Sequence, residues 1–363
     1  MKVKLGKLTK IKTGKLDANA SSPNGEYPFF TCSREPLRIS SYSYDCECVL
    51  VAGNGDLNVK YYNGKFDAYQ RTYIIEDNGA GHLYMPYLFY FMEGYVEELR
   101  KLSIGGVIKY IKLGNLTDAM IELPDVETQK SIVNVLSKAK GIIDSRNQEI
   151  LLLDDLIKAR FVEMFGDPAD SSRADKVELS EICEKITDGE HGSVARVPSG
   201  HPFLNAKHVL KNGRIDWETI TYVGDEDHQR IYKRCNPVEG DILLTTTGTI
   251  GNVAIMPKSE EVSMDRGITL LKIDRQKVTS EFVAELLKQP SIQTEMGVNV
   301  HASAIGHLFM NKVKKLPAII PSMERQVEFT NFVKQVDKSK SVIQKSLDET
   351  QRLFDNVMQE YFG

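Results

Sequence analysis

Apolar residues recur every three to four positions along residues 127–165, a stretch with no proline and a single glycine. This spacing places them on one stripe of an α-helix and follows the seven-residue pattern of helices that pair. Leu123-Pro124 precedes the stretch and Gly166-Asp167-Pro168 follows it, and these residue types end regular structure. The pattern predicts a rod of about 60 Å. The residues expected at its pairing seam are Ile132, Leu136, Ile143, Ile150, Leu153 and Ile157.

A second periodic stretch covers residues 324–362 and predicts a second long helix. Lys340 and Thr350 interrupt its stripe, at the positions where the first stretch has Ile143 and Leu153. Two helices with apolar stripes are most stable when each covers the stripe of the other, so we expect an antiparallel coiled coil. The expected seam residues of the second helix are Phe329, Val333, Val336, Ile343, Leu347 and Phe354.

The two stretches belong to one long repeat. A shift of 197 positions places residues 107–166 on residues 304–363 without a gap. Leu123-Pro124 then falls on Ile320-Pro321, and Glu127-x-Gln129 falls on Glu324-x-Gln326. A single duplication with so long a period predicts an object with internal pseudo-two-fold symmetry, because solenoid repeats are much shorter.

Each predicted helix follows a region of short strand-like runs and glycine or asparagine turns, which indicates an α+β (mixed α/β) fold. The two regions share a weaker frame, in which Pro28-Phe29-Phe30 resembles Pro202-Phe203-Leu204 and Val49-Leu50-Val51 resembles Ile242-Leu243-Leu244. We therefore divide the chain into a first head (1–122), a first helix (123–166), a second head (167–319) and a second helix (320–363).

The bulk composition is that of a folded soluble protein. The five cysteines are scattered and odd in number, which favours a reducing cytoplasm over a disulfide framework. The amino-terminal residues lead into no apolar segment, and no apolar run approaches the roughly 20 residues that span a bilayer. A formal charge of −4 and a pI near 6.0 give no support to a nucleic-acid partner.

No catalytic constellation is present in the sequence. The run of residues 247–252, Thr-Gly-Thr-Ile-Gly-Asn, lacks the Gly-Lys-Ser/Thr ending of a phosphate-binding loop and predicts a tight turn. Cys46-x-Cys48 has no second pair of ligands at zinc spacing, and no two histidines have metal-helix spacing. We therefore expect no catalytic residues, no metal and no cofactor.

Polar and aromatic stretches with isolated basic residues occur in both heads. Arginine forms bidentate hydrogen bonds to guanine edges, and lysine suits phosphates. The candidates for contact with DNA are Arg34, Lys60, Arg71, Lys207, His208, Arg230, Arg234 and Arg266. Arg71 and Arg266 occupy similar places, each just before an apolar strand-like run. Two other interpretations of these basic residues stay open. Any of them is a solvated surface charge in the first, and Arg71 and Arg266 each form a structural salt bridge repeated with the fold in the second.

The whole chain resembles the specificity subunit of type I restriction–modification systems. The resemblance rests on the order head, helix, head, helix and on the openings Val3-Lys4-Leu5-Gly6 and Val177-Glu178-Leu179-Ser180. It also rests on the Leu/Ile-Pro…Glu-x-Gln entries into both helices and on the 160–168 exit from the first helix. Each motif is weak alone, and the duplicated series carries the resemblance.

The resemblance implies that the heads are target-recognition domains, each reading half of a split asymmetric site in double-stranded DNA. It implies a non-catalytic chain that binds two methyltransferase (modification) subunits and restriction subunits in the cytoplasm, with the helices fixing the spacer. An alternative from the residues alone is a two-headed interaction scaffold on a coiled-coil stalk that binds no DNA. An enzyme fused to its own specificity domain is a further alternative, disfavoured by the missing catalytic motifs.

Overall fold

The computed structural model describes residues 2–300 and 306–363 and divides the chain into two compact units. The first unit comprises residues up to 148 together with 343–363, and the second comprises residues 149–342. Each unit therefore contains one head and half of each long helix. The start of the sequence repeat at Ala304 lies outside the described residues, and the predicted limits of the four domains stay a prediction.

The first head is built on a six-stranded sheet. Its strands are β1 (Lys2–Lys4), β2 (Thr9–Thr13), β3 (Tyr27–Phe30), β4 (Leu37–Ile39), β5 (Tyr44–Ala52), β6 (Val59–Ala68), β7 (Thr72–Asp77) and β8 (Met120–Glu122). Its helices are α1 (Met85–Leu102) and α2 (Leu113–Thr117). The sheet has the strand order β2-β7-β5-β6-β3-β4. The longest strands, β5 and β6, pair antiparallel over most of their length, and the apolar second half of β5 is buried on both faces.

The second head has its main strands in two sheets. Its strands are β9 (Val177–Glu178), β10 (Cys183–Asp188), β11 (His201–Leu204), β12 (Thr221–Val223), β13 (Ile242–Thr245), β14 (Val253–Ile255), β15 (Ser263–Met264), β16 (Ile268–Ile273) and β17 (Pro317–Ala318). A four-stranded sheet has the order β10-β16-β13-β14, and a three-stranded sheet has the order β12-β11-β15. Its helices are α4 (Asp225–Arg234), α5 (Ser280–Leu287), α6 (Pro290–Val298) and α7 (Met310–Lys314).

The two heads share a strand frame that the sequence only hinted at. β7 lies between β2 and β5 in the first head, as β16 lies between β10 and β13 in the second, and all four pairings are antiparallel. β3 has a parallel neighbour and an antiparallel neighbour, and β11 has the same two. The opening strands β1 and β9 pair with β8 and β17, the strands that precede the long helices.

The two long helices are α3 (Val126–Phe165) and α8 (Met323–Phe362), each of 40 residues. Their bounds differ by the repeat length of 197 at both ends. Each would extend about 60 Å. The predicted mixed fold, with two heads and two long helices that repeat along the chain, is confirmed.

Within the second unit, the end of α3 runs antiparallel to the beginning of α8. The Arg325 guanidinium donates to the Met164 carbonyl, the Phe161 and Phe329 rings lie 5.4 Å apart, and Lys340 Nζ lies 2.6 Å from Asp154 Oδ1. The residue numbers of the α3 partners therefore decrease as those of the α8 partners increase, which is the mark of antiparallel helices. Burial opposes the charge of Lys340, but the carboxylates of Asp154 and Asp337 outweigh it and raise its pKa. The predicted seam defect is thus neutralised across the helix pair.

Within the first unit, the beginning of α3 and the end of α8 contribute to one apolar cluster with α1. The Tyr87 ring of α1 lies 5.0 Å from Phe362, and Tyr90 lies 6.3 Å from Phe354. The start of one long helix and the end of the other therefore pack into a single cluster in this unit. All the seam residues are buried or half-buried: Ile132, Leu136, Ile143, Ile150, Leu153, Ile157, Phe329, Val333, Val336, Ile343, Leu347 and Phe354.

A buried glutamine fastens each head to the start of a long helix. Gln129 Oε1 accepts from the Tyr84 N–H (2.8 Å), and its Nε2 donates to the carbonyls of His82 and Pro124. Gln326, its counterpart in the repeat, accepts from the N–H of Thr279 (2.9 Å) and donates to two carbonyls in the same way. Both side chains are fully buried, so every polar group they satisfy would otherwise lose its partner.

Replacing Gln129 with methionine, which has a similar shape but no amide, tests this role. We expect the Gln129→Met chain to lose about 2–4 kcal/mol of unfolding free energy, because one N–H and two carbonyls lose part-buried hydrogen bonds to the amide. Denaturant unfolding measures the loss, and hydrogen exchange reports faster exchange at the Tyr84 amide. Gln148→Met, at an exposed position of the same helix, is the control. Equal midpoints for Gln129→Met and the control would contradict the role.

Candidate functional site

Two arginines of α4 in the second head are held by carboxylates from the segment that follows β10. Arg230 forms ion pairs with Glu190 and with Asp227, the latter at 2.8 Å. Arg234 pairs with Asp188. Asp188 and Glu190 are only 14 % and 15 % exposed, whereas the arginine side chains are about half exposed. The carboxylates therefore orient the two guanidinium groups without covering them.

His191 joins the same cluster. Its Nε2 lies 2.8 Å from Asp188 Oδ2 and 3.2 Å from the Arg234 guanidinium. The Gly192 N–H, 2.7 Å from Glu190 Oε1, and then the Arg230 guanidinium hold the pKa of Glu190 below its ordinary value. Glu190 therefore stays ionised at neutral pH. Glu190 and His191 were not among the predicted residues, and only the glycines on either side of them mark the segment as a turn.

Arg266 lies beside this cluster, in the turn that leads into β16. Its backbone N–H donates to the Glu190 carbonyl at 3.0 Å. Its side chain is exposed, and no carboxylate in the described part of the chain pairs with it. His307 Nδ1 lies 2.7 Å from Thr247 Oγ1. Burial, and then the charge of Arg266, lowers the pKa of His307. His307 was also not among the predicted residues.

Arg71 lies at the corresponding corner of the first head, one residue nearer the strand. Its carbonyl accepts from the Gly53 N–H as the Gly267 carbonyl accepts from the Thr246 N–H, so Gln70 and not Arg71 is the backbone counterpart of Arg266. Arg71 directly precedes β7, whereas Gly267 separates Arg266 from β16, the corresponding middle strand. Gly14 approaches the Ala68 carbonyl at this corner as Gly189 approaches the Met264 carbonyl, with room for no Cβ atom in either case. Within residues 2–300 and 306–363, neither Arg71 nor Arg266 makes an ion pair. The repeated salt bridge that the sequence left open is therefore absent from the described structure.

The other predicted residues of the first head gather around the turn between β5 and β6. Arg34 Nε lies 3.0 Å from Asp56 Oδ2, and Arg100, which was not predicted, lies 3.2 Å from Asp56 Oδ1. Both arginines keep the pKa of Asp56 below its ordinary value, with Arg34 the larger cause. Lys60 donates to the Asn58 side chain, and burial lowers its pKa. Basic groups from three parts of the head thus share one edge.

Lys207 and His208, adjacent in sequence, have opposite surroundings. Both lie in the 3-10 turn Ala206–His208, whose first carbonyl accepts from Thr249 Oγ1. Lys207 is exposed, whereas His208 is fully buried and accepts the Asn205 N–H at Nδ1. Burial, and then the charge of Lys207, lowers the pKa of His208, which favours a neutral ring. His208 is inaccessible to a ligand in this structure and acts as an internal brace.

The described residues contain neither a metal site nor a membrane-spanning helix. Among residues 2–300 and 306–363, no group of three or more histidine, cysteine or acidic side chains has the arrangement of a metal site. No helix of the described chain is both long and apolar enough to cross a bilayer.

Both heads present basic side chains, fixed by neighbouring carboxylates or amides, on polar edges. Such edges suit a large polyanionic ligand better than a small enclosed one.

Comparison with known sequences gives a consistent result. The model of the family described as type I restriction modification DNA specificity domain matches residues 1–153 and 174–351. The EcoDI type I restriction enzyme specificity subunit of Escherichia coli is 37% identical over 156 residues, which cover 43% of this chain and 34% of that protein. The EcoBI specificity subunit of Escherichia coli is 19% identical over 300 residues, or 75% and 63% of the two chains. The matched parts thus span less than two thirds of these relatives.

Solved structures share the fold over the full chain. The S subunit of a type I restriction–modification system from M. genitalium has a TM-score of 0.61 at 17% identity, covering 100% of this chain and 96% of that one. A chain from a structure concerned with complex assembly and conformational transition of the type I R-M system has a TM-score of 0.55 at 14% identity, covering 100% and 97%. At these identities the likeness concerns the fold alone.

The ion pair of Glu190 leads to a prediction with a defined pH dependence. Its folded-state pKa is lowered, so its contribution to stability is present above the unfolded pKa of about 4.3 and is lost as pH falls through the folded value. We expect Glu190→Gln to cost about 1 kcal/mol of unfolding free energy at pH 7, with a smaller difference below about pH 4. Denaturant unfolding at several pH values measures this. Glu226→Gln, at an exposed α4 position, is the control, and a pH-independent difference would contradict the assignment.

Proposed function

This chain belongs to the family of type I restriction–modification DNA specificity domains, and we propose that it is a subunit that recognises double-stranded DNA without catalysing a reaction. Each head contacts one half of a split site, and the two halves differ because the heads differ. The long helices set the distance between the halves. Methylation and cleavage belong to partner subunits.

The observation that carries this proposal is the pair Arg71 and Arg266. The two heads diverge in length and in sheet arrangement, yet each keeps an exposed arginine without an ion pair at the start of the same middle strand. An unpaired guanidinium is the group best suited to a bidentate hydrogen bond with a guanine edge in the major groove. Each head presents such a guanidinium within one residue of the same place in the shared strand frame, which supports a common ligand for both heads.

The remaining basic residues divide by their surroundings. Arg230 and Arg234 are oriented by Glu190 and Asp188, which suits base contacts that need a fixed direction. The candidates with charges suited to phosphates are Arg34, Lys60 and Lys207. His208 is left out because its ring is buried. The basic residues lie on local edges, so a formal charge of −4 for the whole chain is compatible with DNA binding.

The outward faces of the long helices are proposed to bind two methyltransferase subunits, with restriction subunits joining the complex. Val135, Ile142 and Leu156 of α3 fall on one heptad position beside the seam and are 42–47% exposed. Leu353 of α8, the counterpart of Leu156, is 52% exposed. Exposed aliphatic rows on paired helices favour protein partners. Such partners would act in the cytoplasm, where their DNA substrate lies.

A two-headed scaffold that binds no DNA is the competing function, and methylation mapping separates the two. The chain is expressed with its genomic neighbours, and N6-methyladenine is mapped across the host genome. We expect a motif of two different short words separated by a fixed gap, which is absent when this chain alone is omitted. A contiguous motif, or methylation that does not depend on this chain, would contradict the proposal.

The Arg266→Ala variant tests the proposed base contact of the Arg266 side chain. We expect it to relax the motif in one half only, at a cost of about 1–3 kcal/mol for that half, while the other half is unchanged. Competition binding with duplexes altered in each half measures this. Arg214→Ala, at an exposed arginine of the same head, is the control. A uniform loss on all duplexes would instead assign Arg266 to a phosphate.

A further inference from the structure

The turn of residues 104–110 in the first head projects aliphatic side chains into solvent. Ile104, at its base, is 42% exposed, Ile108 is 64% exposed, and Val107 is fully exposed at 104%. Exposure rises from the base to the tip, so the turn is a protrusion and not the rim of a groove. Exposing aliphatic surface to water costs about 25 cal/mol per Å². A fixed aliphatic protrusion therefore indicates a surface that a ligand covers.

The protrusion is fixed by backbone hydrogen bonds. Ile104 and Tyr110 exchange both of theirs, at 3.0 and 2.8 Å, which makes the turn a closed hairpin. Gly105 has a φ of +119°, and a Cβ atom there would lie 2.6 Å from the Ile108 carbonyl oxygen. Only glycine accommodates that approach. Val107 and Ile108 are therefore presented in a defined direction.

The hairpin is also anchored to the edge that carries the predicted basic residues. The Lys109 carbonyl accepts from the Gly55 N–H at 3.0 Å, and the Ile111 N–H donates to the Gly53 carbonyl at 2.9 Å. Asp56, the next residue after Gly55, holds Arg34 and Arg100. The turn between β5 and β6 therefore contacts both the aliphatic hairpin and the basic residues of the first head.

The charge around the tip is positive although the chain as a whole is negative. No aspartate or glutamate occurs from residue 99 to residue 117. The same stretch contains Lys109 and Lys112, which form no ion pair among the described residues, and Arg100 and Lys101, which pair with Glu97 and Glu98 of α1. A convex aliphatic tip flanked by cations complements a groove between two phosphate backbones. A protein partner would usually bury a wider apolar patch than this tip offers.

We propose that Val107 and Ile108 form an apolar wedge that enters the minor groove of double-stranded DNA and partly unstacks one base step beside the half-site of the first head. This inference rests on the proposed function. Aliphatic side chains flanked by lysine and arginine act in this way in DNA-bending proteins, which kink the duplex by about 20–90°. The corresponding turn of the second head falls on residues 301–307, of which 301–305 lie outside the described residues.

The test uses the full chain assembled with its partner subunits and duplexes that carry the mapped site with a dye pair at the ends. The wild-type complex is expected to bring the ends together, as measured by energy transfer. The Val107→Ser/Ile108→Ser variant is expected to leave the duplex nearly straight and to bind about tenfold more weakly. Val238→Ser, at a valine that is 43% exposed in the second head, is the control and should change neither quantity.

The outcomes separate the wedge from the proposed function. A variant that bends and binds DNA like the wild type overturns the wedge and leaves the DNA-recognition function standing. A variant that no longer assembles with its partner subunits, while its unfolding temperature is unchanged, also overturns the wedge and assigns the tip to a protein contact. A wild-type complex that binds no specific site overturns the proposed function, and the wedge with it.

Discussion

The rest of the structure depends on the need of each long helix to bury an apolar stripe. A helix of 40 residues with such a stripe is not stable alone in water, and here each helix covers the other. In the second unit, the contacts of Met164 with Arg325 and of Asp154 with Lys340 fix the antiparallel direction. A lysine paired with an aspartate across the seam also specifies the register, because a shifted pairing would leave its charge half-buried without a partner.

The heads follow from the same duplication under a looser constraint. The middle strand, its two antiparallel neighbours and the buried glutamine at the start of each long helix are retained, because they join a head to the helix framework. The remaining sheets and loops differ. The link between head and helix is thus kept while the surfaces of the heads differ, as the proposed reading of two different DNA words requires.

The helices were predictable because a seven-residue period over 40 residues has few alternative explanations, and the observed bounds differ from the predicted start by one residue in each copy. Arg71 and Arg266 are exposed, as a contact with DNA requires, but their role stays a prediction. The burial of His208 was not predictable, because a polar ring beside an exposed lysine gives no sign of it. The pairing of Arg234 with Asp188 joins residues 46 positions apart, and only the tertiary fold brings them together.

Exchange of heads tests most directly the claim that the helices hold two independent readers. Residues 167–319 are replaced by a second copy of residues 1–122, and the chain is assembled with its partner subunits for methylation mapping. We expect the recognised site to become two copies of a single word, namely the one proposed for the first head. Assembly of the complex with the original two-word site retained would contradict this expectation.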